Sequence, residues 1–197
     1  MPKIQFWYDF ASNYSYLSAM RIEEAAAMRG IGIEWRPFLL GPIFATQGWD
    51  TSPFKIYPAK GRHMLRDMER ICADRGMSFR LPEPFPQNSL QAARLALIGE
   101  EEGWAPAFTR ELFRLEFGEG ASIADRQVLA LALAAARQDA EAQMQRTQAP
   151  EIKTRLRARN EEAQALGIFG APTFITEGGE LFWGDDRLEQ ALAWSLR

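Results

Sequence analysis

The chain has 197 residues, 47% of them hydrophobic, which suffices for one sizeable core or two small ones. Its formal net charge of −3 gives no reason to expect nucleic acid or an acidic membrane surface as partner, although the arginines between 155 and 159 make a local basic face. A single cysteine excludes an internal disulfide. With no signal peptide and no apolar run of about 18 residues in view, a soluble cytoplasmic protein is the expectation.

Residues 3–8 read as a strand, because Ile4, Phe6 and Tyr8 alternate with Lys3, Gln5 and Trp7. A helix follows. Ser12 can cap its first N–H groups, Tyr16, Leu17, Met20 and Ile22 give it an apolar stripe, and it ends near Arg29-Gly30. Gly30 and Gly32 supply a turn into a second strand carrying Ile33, Trp35 and Phe38-Leu39-Leu40, broken by Pro37. This is the β-α-β opening of a thioredoxin-like domain. Residues 46–58 are rich in turn formers, and 60–74 then form a helix with Met64, Met68, Ile71 and Cys72 on one face. Pro82, Pro84 and Pro86 mark a loop passing near the opening domain. Helices are predicted from Ser89 onward and over 104–117, 124–137 and 152–166.

The strand pattern returns only at 172–176 and 180–183, joined by Gly178-Gly179, and residues 187–196 close the chain as a helix. The order gives an α/β fold. A thioredoxin-like domain of residues 1–44 and 167–197 is interrupted by an all-helical insertion with its connecting loop at 45–166.

Ser12 stands where a redox protein of this architecture would carry cysteine, and with Ser15 it removes the thiols that disulfide exchange requires. On residue chemistry alone Ser12 is an N-cap, and Pro172 is a proline marking a strand edge. Asp185 and Asp186 precede the last helix, where carboxylates cap N–H groups, and Lys60 and Arg62 are charges at a helix start. His63, the only histidine, lies on a charged helical face, and Cys72 fills an apolar one; the two cannot assemble a metal site. Phe44, Trp49, Phe54 and Tyr57 cluster in the irregular segment, where they either line a pocket for a flat apolar substrate or cover a core edge.

Four runs carry a resemblance that covers nearly the whole chain. Tyr8-Asp9-Phe10-Ala11-Ser12-Asn13-Tyr14-Ser15-Tyr16-Leu17, Pro58-Ala59-Lys60-Gly61-Arg62, Gly167-Ile168-Phe169-Gly170-Ala171-Pro172-Thr173-Phe174 and Phe182-Trp183-Gly184-Asp185-Asp186-Arg187 resemble the 2-hydroxychromene-2-carboxylate isomerases and their kappa-class glutathione transferase relatives. The resemblance implies a DsbA-like fold, a glutathione site and a homodimer. In the isomerase branch it also implies isomerisation of a double bond in a small aromatic degradation intermediate. By position, Ser12 would activate the glutathione thiol and Ala171, before a cis Pro172, would pair with the peptide backbone of glutathione. Asp185 and Asp186 would meet its γ-glutamyl end, and Lys60 would stand near the mouth of the site. Asn13, Tyr14 and Trp49 fall to the substrate side. The chain departs from the family pattern at Asn13, where proline is usual, and at Gly48-Trp49, where the family has Gly-Asn.

The chemistry asked of Ser12 is modest. A thiol of pKa about 8.5 is roughly 3% ionised at pH 7, and lowering it by two units requires about 2.7 kcal/mol of differential stabilisation. A hydroxyl donor and the N–H groups of a helix start are the local sources. A kappa-like transferase and a non-redox DsbA-like binding module remain open beside the isomerase.

Overall fold

The computed structural model describes residues 1–197. Strand β1 (Lys3–Tyr8) is the centre of the fold because both of its faces are buried. Ile4, Phe6 and Tyr8 enter the larger core, while Trp7 turns to the opposite face and packs with Phe38, Ile43, Ile168 and Ile175. The alternation predicts the first face; Trp7, grouped with the polar positions, is fully buried on the second. The guanidinium carbons of Arg36 and Arg159 lie 5.8 and 5.6 Å from the centre of its ring.

β1 pairs in parallel with β2 (Gly32–Pro37) and antiparallel with β3 (Thr173–Thr176), which pairs antiparallel with β4 (Leu181–Trp183). The sheet order is β2-β1-β3-β4. Strands 1 and 3 are far apart in sequence, so everything between β2 and β3 is a single long excursion from the sheet. The expected first helix is two: α1 (Asn13–Ala19) and α2 (Ile22–Ala27), separated at Met20-Arg21. β2 ends at Pro37, and Leu40, expected in the strand, instead starts α3 (Leu40–Thr46). The turn-rich segment then holds a further short helix, α4 (Pro53–Ile56), with Ser52 as its cap and Pro53 in its first turn.

Beyond it come α5 (Pro58–Asp74), α6 (Leu90–Glu102), α7 (Ala105–Phe113), a π-helical turn (Arg114–Gly118), α8 (Arg126–Ala135), α9 (Ala140–Arg146) and α10 (Pro150–Ala165). The helix expected over 104–117 gives way to the π turn after Phe113, and α9 is absent from the periodicity reading. A 3₁₀ turn (Asp185–Arg187) leads into α11 (Leu188–Trp194). No helix is long and apolar enough to cross a membrane.

One hydrophobic cluster runs from the sheet into the helices. Phe6 stacks on Tyr8 at 5.0 Å, and Phe10 meets Phe113 at 5.0 Å. Tyr8 also shares a 2.8 Å hydrogen bond with Thr109 on α7. Burying each such ring contributes about 1.5–3 kcal/mol, so β1 is held to α7 by packing, with one buried hydroxyl pair setting the register.

Two buried carboxyl groups lie near the end of β1. Asp9 accepts from Ala11 N–H at 3.0 Å, Leu40 N–H at 2.7 Å and Ser89 O–H at 2.6 Å. Burial lifts its pKa, and those three donors pull it back. Glu116, in the π turn, is wholly buried, and neither of its carboxyl oxygens has a hydrogen-bond partner in the chain. Burial, followed by the charge of Asp9, pushes its pKa well above the usual carboxylate range.

A carboxyl group that holds its proton more tightly in the folded chain gives stability that is intact below the ordinary Glu range, about pH 4.3, and is lost as pH rises toward the folded pKa. Glu116→Gln removes that loss. The variant should match the wild type in denaturant midpoint near pH 4 and gain on it steadily as pH rises. A pH-independent difference would show that Glu116 titrates alike in the folded and unfolded chain.

Candidate functional site

A cleft of about 1280 Å³ opens between the β1–α1 loop, the α3–α5 region, the proline loop at 84–86 and the turns flanking β3 and β4. Every residue to which the resemblance gives a role at the site lines it: Ser12, Asn13, Tyr14, Trp49, Lys60, Ala171, Pro172, Asp185 and Asp186. Their convergence depends on the sheet. β1 and β3 are neighbours, so the loop leaving β1 and the turn entering β3 end up side by side although 159 positions separate Ser12 from Ala171.

Ser12 is the N-cap of α1 in extended conformation, accepting from Ser15 N–H at 3.2 Å, and its hydroxyl donates to the Ala171 carbonyl at 3.0 Å. It is buried, with 7% of its surface exposed. Ser15 is fully buried, and its hydroxyl has no partner in the chain. The Ala171–Pro172 peptide is cis, and the Pro172 carbonyl accepts from Gly184 N–H at 2.9 Å. The Ala171 N–H makes no hydrogen bond within the chain. A Cβ at Gly170 would run into the indole nitrogen of the half-exposed Trp183, so that ring would have to shift.

Asn13, on the substrate side by resemblance, has its side chain committed inward: Oδ1 accepts from Tyr14 N–H and Nδ2 donates to the Met64 sulfur. Tyr14 donates to Asp67 at 2.9 Å, and its ring faces Phe54 at 6.4 Å. Burial and then the Asp67 carboxylate push the Tyr14 phenol well above its ordinary pKa. Trp49 and Phe44 pair at 5.9 Å, and both line the cleft with Phe54. Tyr57 instead sits beneath Lys60, whose ammonium lies 5.2 Å from the ring centre. His63 is exposed and also lines the cleft.

The two aspartates divide. Asp185 is buried, and its carboxylate is engaged on both oxygens: Oδ1 accepts from Ser18 at 2.9 Å and Arg21 at 3.1 Å, and Oδ2 from Arg75 at 2.7 Å. Arg21 also bonds the Asp185 carbonyl and Glu189. Asp186 is 74% exposed, and its one ion-pair contact is Arg187 at 3.7 Å. Neither side chain accepts from a helix N–H, which sets aside the capping expectation.

Arg75, Asp67 and the exposed pair Phe169–Trp183, whose rings meet at 5.1 Å, also line the cleft and escaped sequence reasoning. Arg75 lies 110 positions from its partner Asp185, and at a charged helix end it carries no local signal. Cys72 is buried on α5, and desolvation raises its thiol to about 11.

A 2-hydroxychromene-2-carboxylate isomerase from Sphingobium xenophagum is 28% identical over 187 residues, covering 94% of each chain. Glutathione S-transferase kappa 1 from Homo sapiens is 26% identical, covering 94% of this chain and 87% of its own. Among solved structures, a 2-hydroxychromene-2-carboxylate isomerase superposes with a TM-score of 0.87 at 24% identity, over 99% of this chain and 96% of its own. The cytosolic disulfide reductase DsbM of Pseudomonas aeruginosa, solved with GSH, superposes with a TM-score of 0.67 at 19% identity, over 98% and 96% of the two chains. Residues 3–193 match the DSBA-like thioredoxin domain family, and the chain, with its β2-β1-β3-β4 sheet and its long helical excursion, belongs to that family.

Proposed function

We propose that the chain is a glutathione-dependent isomerase of the 2-hydroxychromene-2-carboxylate type, with Ser12 activating the thiol. The observation that carries this reading is the Ser12 hydroxyl against the Ala171 carbonyl, inside a cleft that also collects Lys60, Asp186 and a group of aromatic rings. The likeness to the Sphingobium isomerase over nearly the full chain supports it.

The residues present fit glutathione. An extended peptide needs main-chain partners, and the Ala171 N–H has no partner in the chain. Its charged ends need counter-charges, which Lys60 and Asp186 offer. At about 1280 Å³ the cleft exceeds the roughly 300–1,000 Å³ typical of a single-ligand site, leaving room for a second, flat molecule.

Glutathione, when bound, would supply a thiol whose anion adds reversibly to a conjugated carbon, making a double bond rotatable before it leaves. The part of Ser12 is to donate its O–H to the sulfur. Rotation about one side-chain bond would redirect the proton now given to Ala171, while the Ser15 N–H still holds a lone pair of the same oxygen. Exchanging a neutral acceptor for an anionic one strengthens that bond from about 0.5–1.5 to about 1.5–3 kcal/mol, in the direction that lowers a thiol pKa. Trp49, with Phe44 behind it, offers an apolar face and one N–H donor, suited to an aromatic substrate rather than to the tripeptide.

A kappa-like transferase is the second reading, favoured by the likeness to the human kappa enzyme. Both activities use the same activated thiol. They separate on product: an isomerase turns over 2-hydroxychromene-2-carboxylate with no loss of free thiol, whereas a transferase consumes one thiol per turnover. Conversion without thiol consumption is expected. Stoichiometric consumption would overturn the isomerase, and calorimetry with no heat of glutathione binding would overturn both.

Ser12→Ala should lower turnover roughly 10- to 100-fold at neutral pH, the equivalent of one charge-assisted hydrogen bond, with the fold intact by circular dichroism. Part of the loss should return as pH approaches about 9, since the thiol then ionises without help. Unchanged turnover across that range would remove Ser12 from the mechanism.

Trp49→Ala should raise KM for the aromatic substrate several-fold, from the roughly 0.5–1.5 kcal/mol of ring stacking, while glutathione affinity by calorimetry stays near that of the wild type. A loss confined to glutathione would place Trp49 on the tripeptide instead.

A further inference from the structure

Helix α5 runs along the cleft and turns one face to it. Lys60, His63, Asp67, Ile71 and Arg75 all line the cavity at intervals of three or four residues, so they form a single stripe. At 1.5 Å of rise per residue, about 18 Å of helix separate His63 from Arg75, which marks the end of the cleft at Asp185. The other end is the aromatic one. There α4, which carries Phe54, packs so closely on the start of α5 that a Cβ at Gly61 would stand 2.5 Å from the Phe54 carbonyl oxygen. One turn beyond His63, Asp67 accepts from Tyr14 on α1, the helix that Ser12 caps. Along α5, His63 therefore lies between the contact with the aromatic segment and the contact with the helix of Ser12.

Most ionisable groups of the cleft are already engaged. Asp9 and Asp67 accept hydrogen bonds from within the chain, and the Lys60 ammonium lies over the Tyr57 ring. The ion pairs of α5 join Arg66 to Glu69, Arg70 to Asp67 and Arg75 to Asp185, and none includes His63, which is exposed. We propose that His63 is a second catalytic residue, the proton carrier for the oxygen chemistry of the aromatic substrate. This rests on the isomerase reading and adds a step that a thiol does not perform. A 2-hydroxychromene-2-carboxylate is a cyclic hemiketal, and its double bond can change geometry only after the ring opens. In the opening, the O–H bond of the hydroxyl group at carbon 2 breaks and its electron pair forms the C=O of a 2-oxo acid. The bond from the same carbon to the ring oxygen breaks, its pair goes to that oxygen, and the oxygen takes a proton to become a phenol. One proton leaves and one arrives, with no change of oxidation state. Imidazole serves both halves, because it ordinarily gives and takes a proton near neutral pH, which ammonium and carboxylate groups do not.

The test compares two substrates in the presence of glutathione: 2-hydroxychromene-2-carboxylate, which must open its ring, and cis-2-methoxybenzylidenepyruvate, a methyl ether that is already open and cannot close. The wild type should isomerise both. His63→Gln should lower turnover of the cyclic substrate roughly 100-fold or more, the usual scale of a lost general acid–base group, and keep the methoxy compound within about twofold. That second substrate also reports a folded variant with a working thiol site. In His63→Ala, free imidazole should restore part of the loss on the cyclic substrate alone. Equal losses on the two substrates would make His63 a support of the cleft and not a proton carrier, and undiminished turnover of the cyclic one would show that the ring opens without it; either result overturns the proposal. It is also overturned if the wild type isomerises only the methoxy compound, a result that leaves the isomerase reading standing. Where the wild type turns over only the cyclic substrate, the imidazole arm decides, and no rescue overturns the proposal. A wild type that turns over neither compound overturns the isomerase reading and the role of His63 with it.

Discussion

The buried Asp9 carboxylate is the tie on which the site depends. It leaves the end of β1 and accepts from three places at once: its own loop at Ala11, the start of α3 at Leu40, and Ser89 just before α6. Those are the segments that carry Ser12, the Phe44–Trp49 pair and the base of the proline loop. A buried carboxyl group is expensive unless its oxygens are hydrogen-bonded, and three converging donors reach them. The same need makes the three segments hard to move independently. Loops that would otherwise drift are held to a strand whose rings are packed on both faces.

Asp185 does for the far end of the cleft what Asp9 does for its floor. Ser18 and Arg21 belong to the α1–α2 region, Arg75 to the end of α5, and Asp185 to the turn after β4. One carboxylate therefore joins the opening β-α unit, the helical excursion and the closing hairpin. Removing it would leave two guanidinium groups facing one another, so its neighbours pay in repulsion as well as in lost bonds. Asp186 is spared that duty and stays exposed, which suits a ligand contact.

The sequence made the sheet legible because its strands are short and strongly apolar: Ile4, Phe6 and Tyr8 report one buried face, and the second run around Phe174 is bounded by Pro172 and Gly178. It made Ser12 legible as a cap, and the motif runs brought Ala171, Lys60 and the aspartates into one hypothesis. What it hid were effects of distance. α3 follows directly on a strand expected to run to Leu40 and α4 lies within the turn-rich residues 46–58, yet Pro42 and Pro53 sit in first turns, where a missing N–H costs nothing. Trp7 looked solvent-facing by alternation and is buried because α3 and the turn before β3 cover that side of the sheet. The unequal roles of Asp185 and Asp186, adjacent and chemically identical, depend on two arginines 164 and 110 positions away, which no local pattern encodes.

Serine at position 12 changes what the fold can do while preserving how it is built. The hydroxyl caps α1 and reaches Ala171 as a donor, so the loop keeps its shape and its hydrogen-bond chemistry, but an alcohol stores no electrons. Ser15, the other position where exchange would need sulfur, is a sealed hydroxyl. The only sulfur nucleophile of the chain is Cys72, buried on α5 with a thiol raised to about 11. At pH 7 such a thiol is ionised to the order of 10⁻⁴, and burial keeps it from any substrate. A chain that retains the donor geometry of a thiol site and lacks a usable thiol is suited to act on sulfur brought by a ligand. That is why the proposed chemistry places the nucleophile on a bound peptide and leaves the protein to hold it, orient it and lower its pKa.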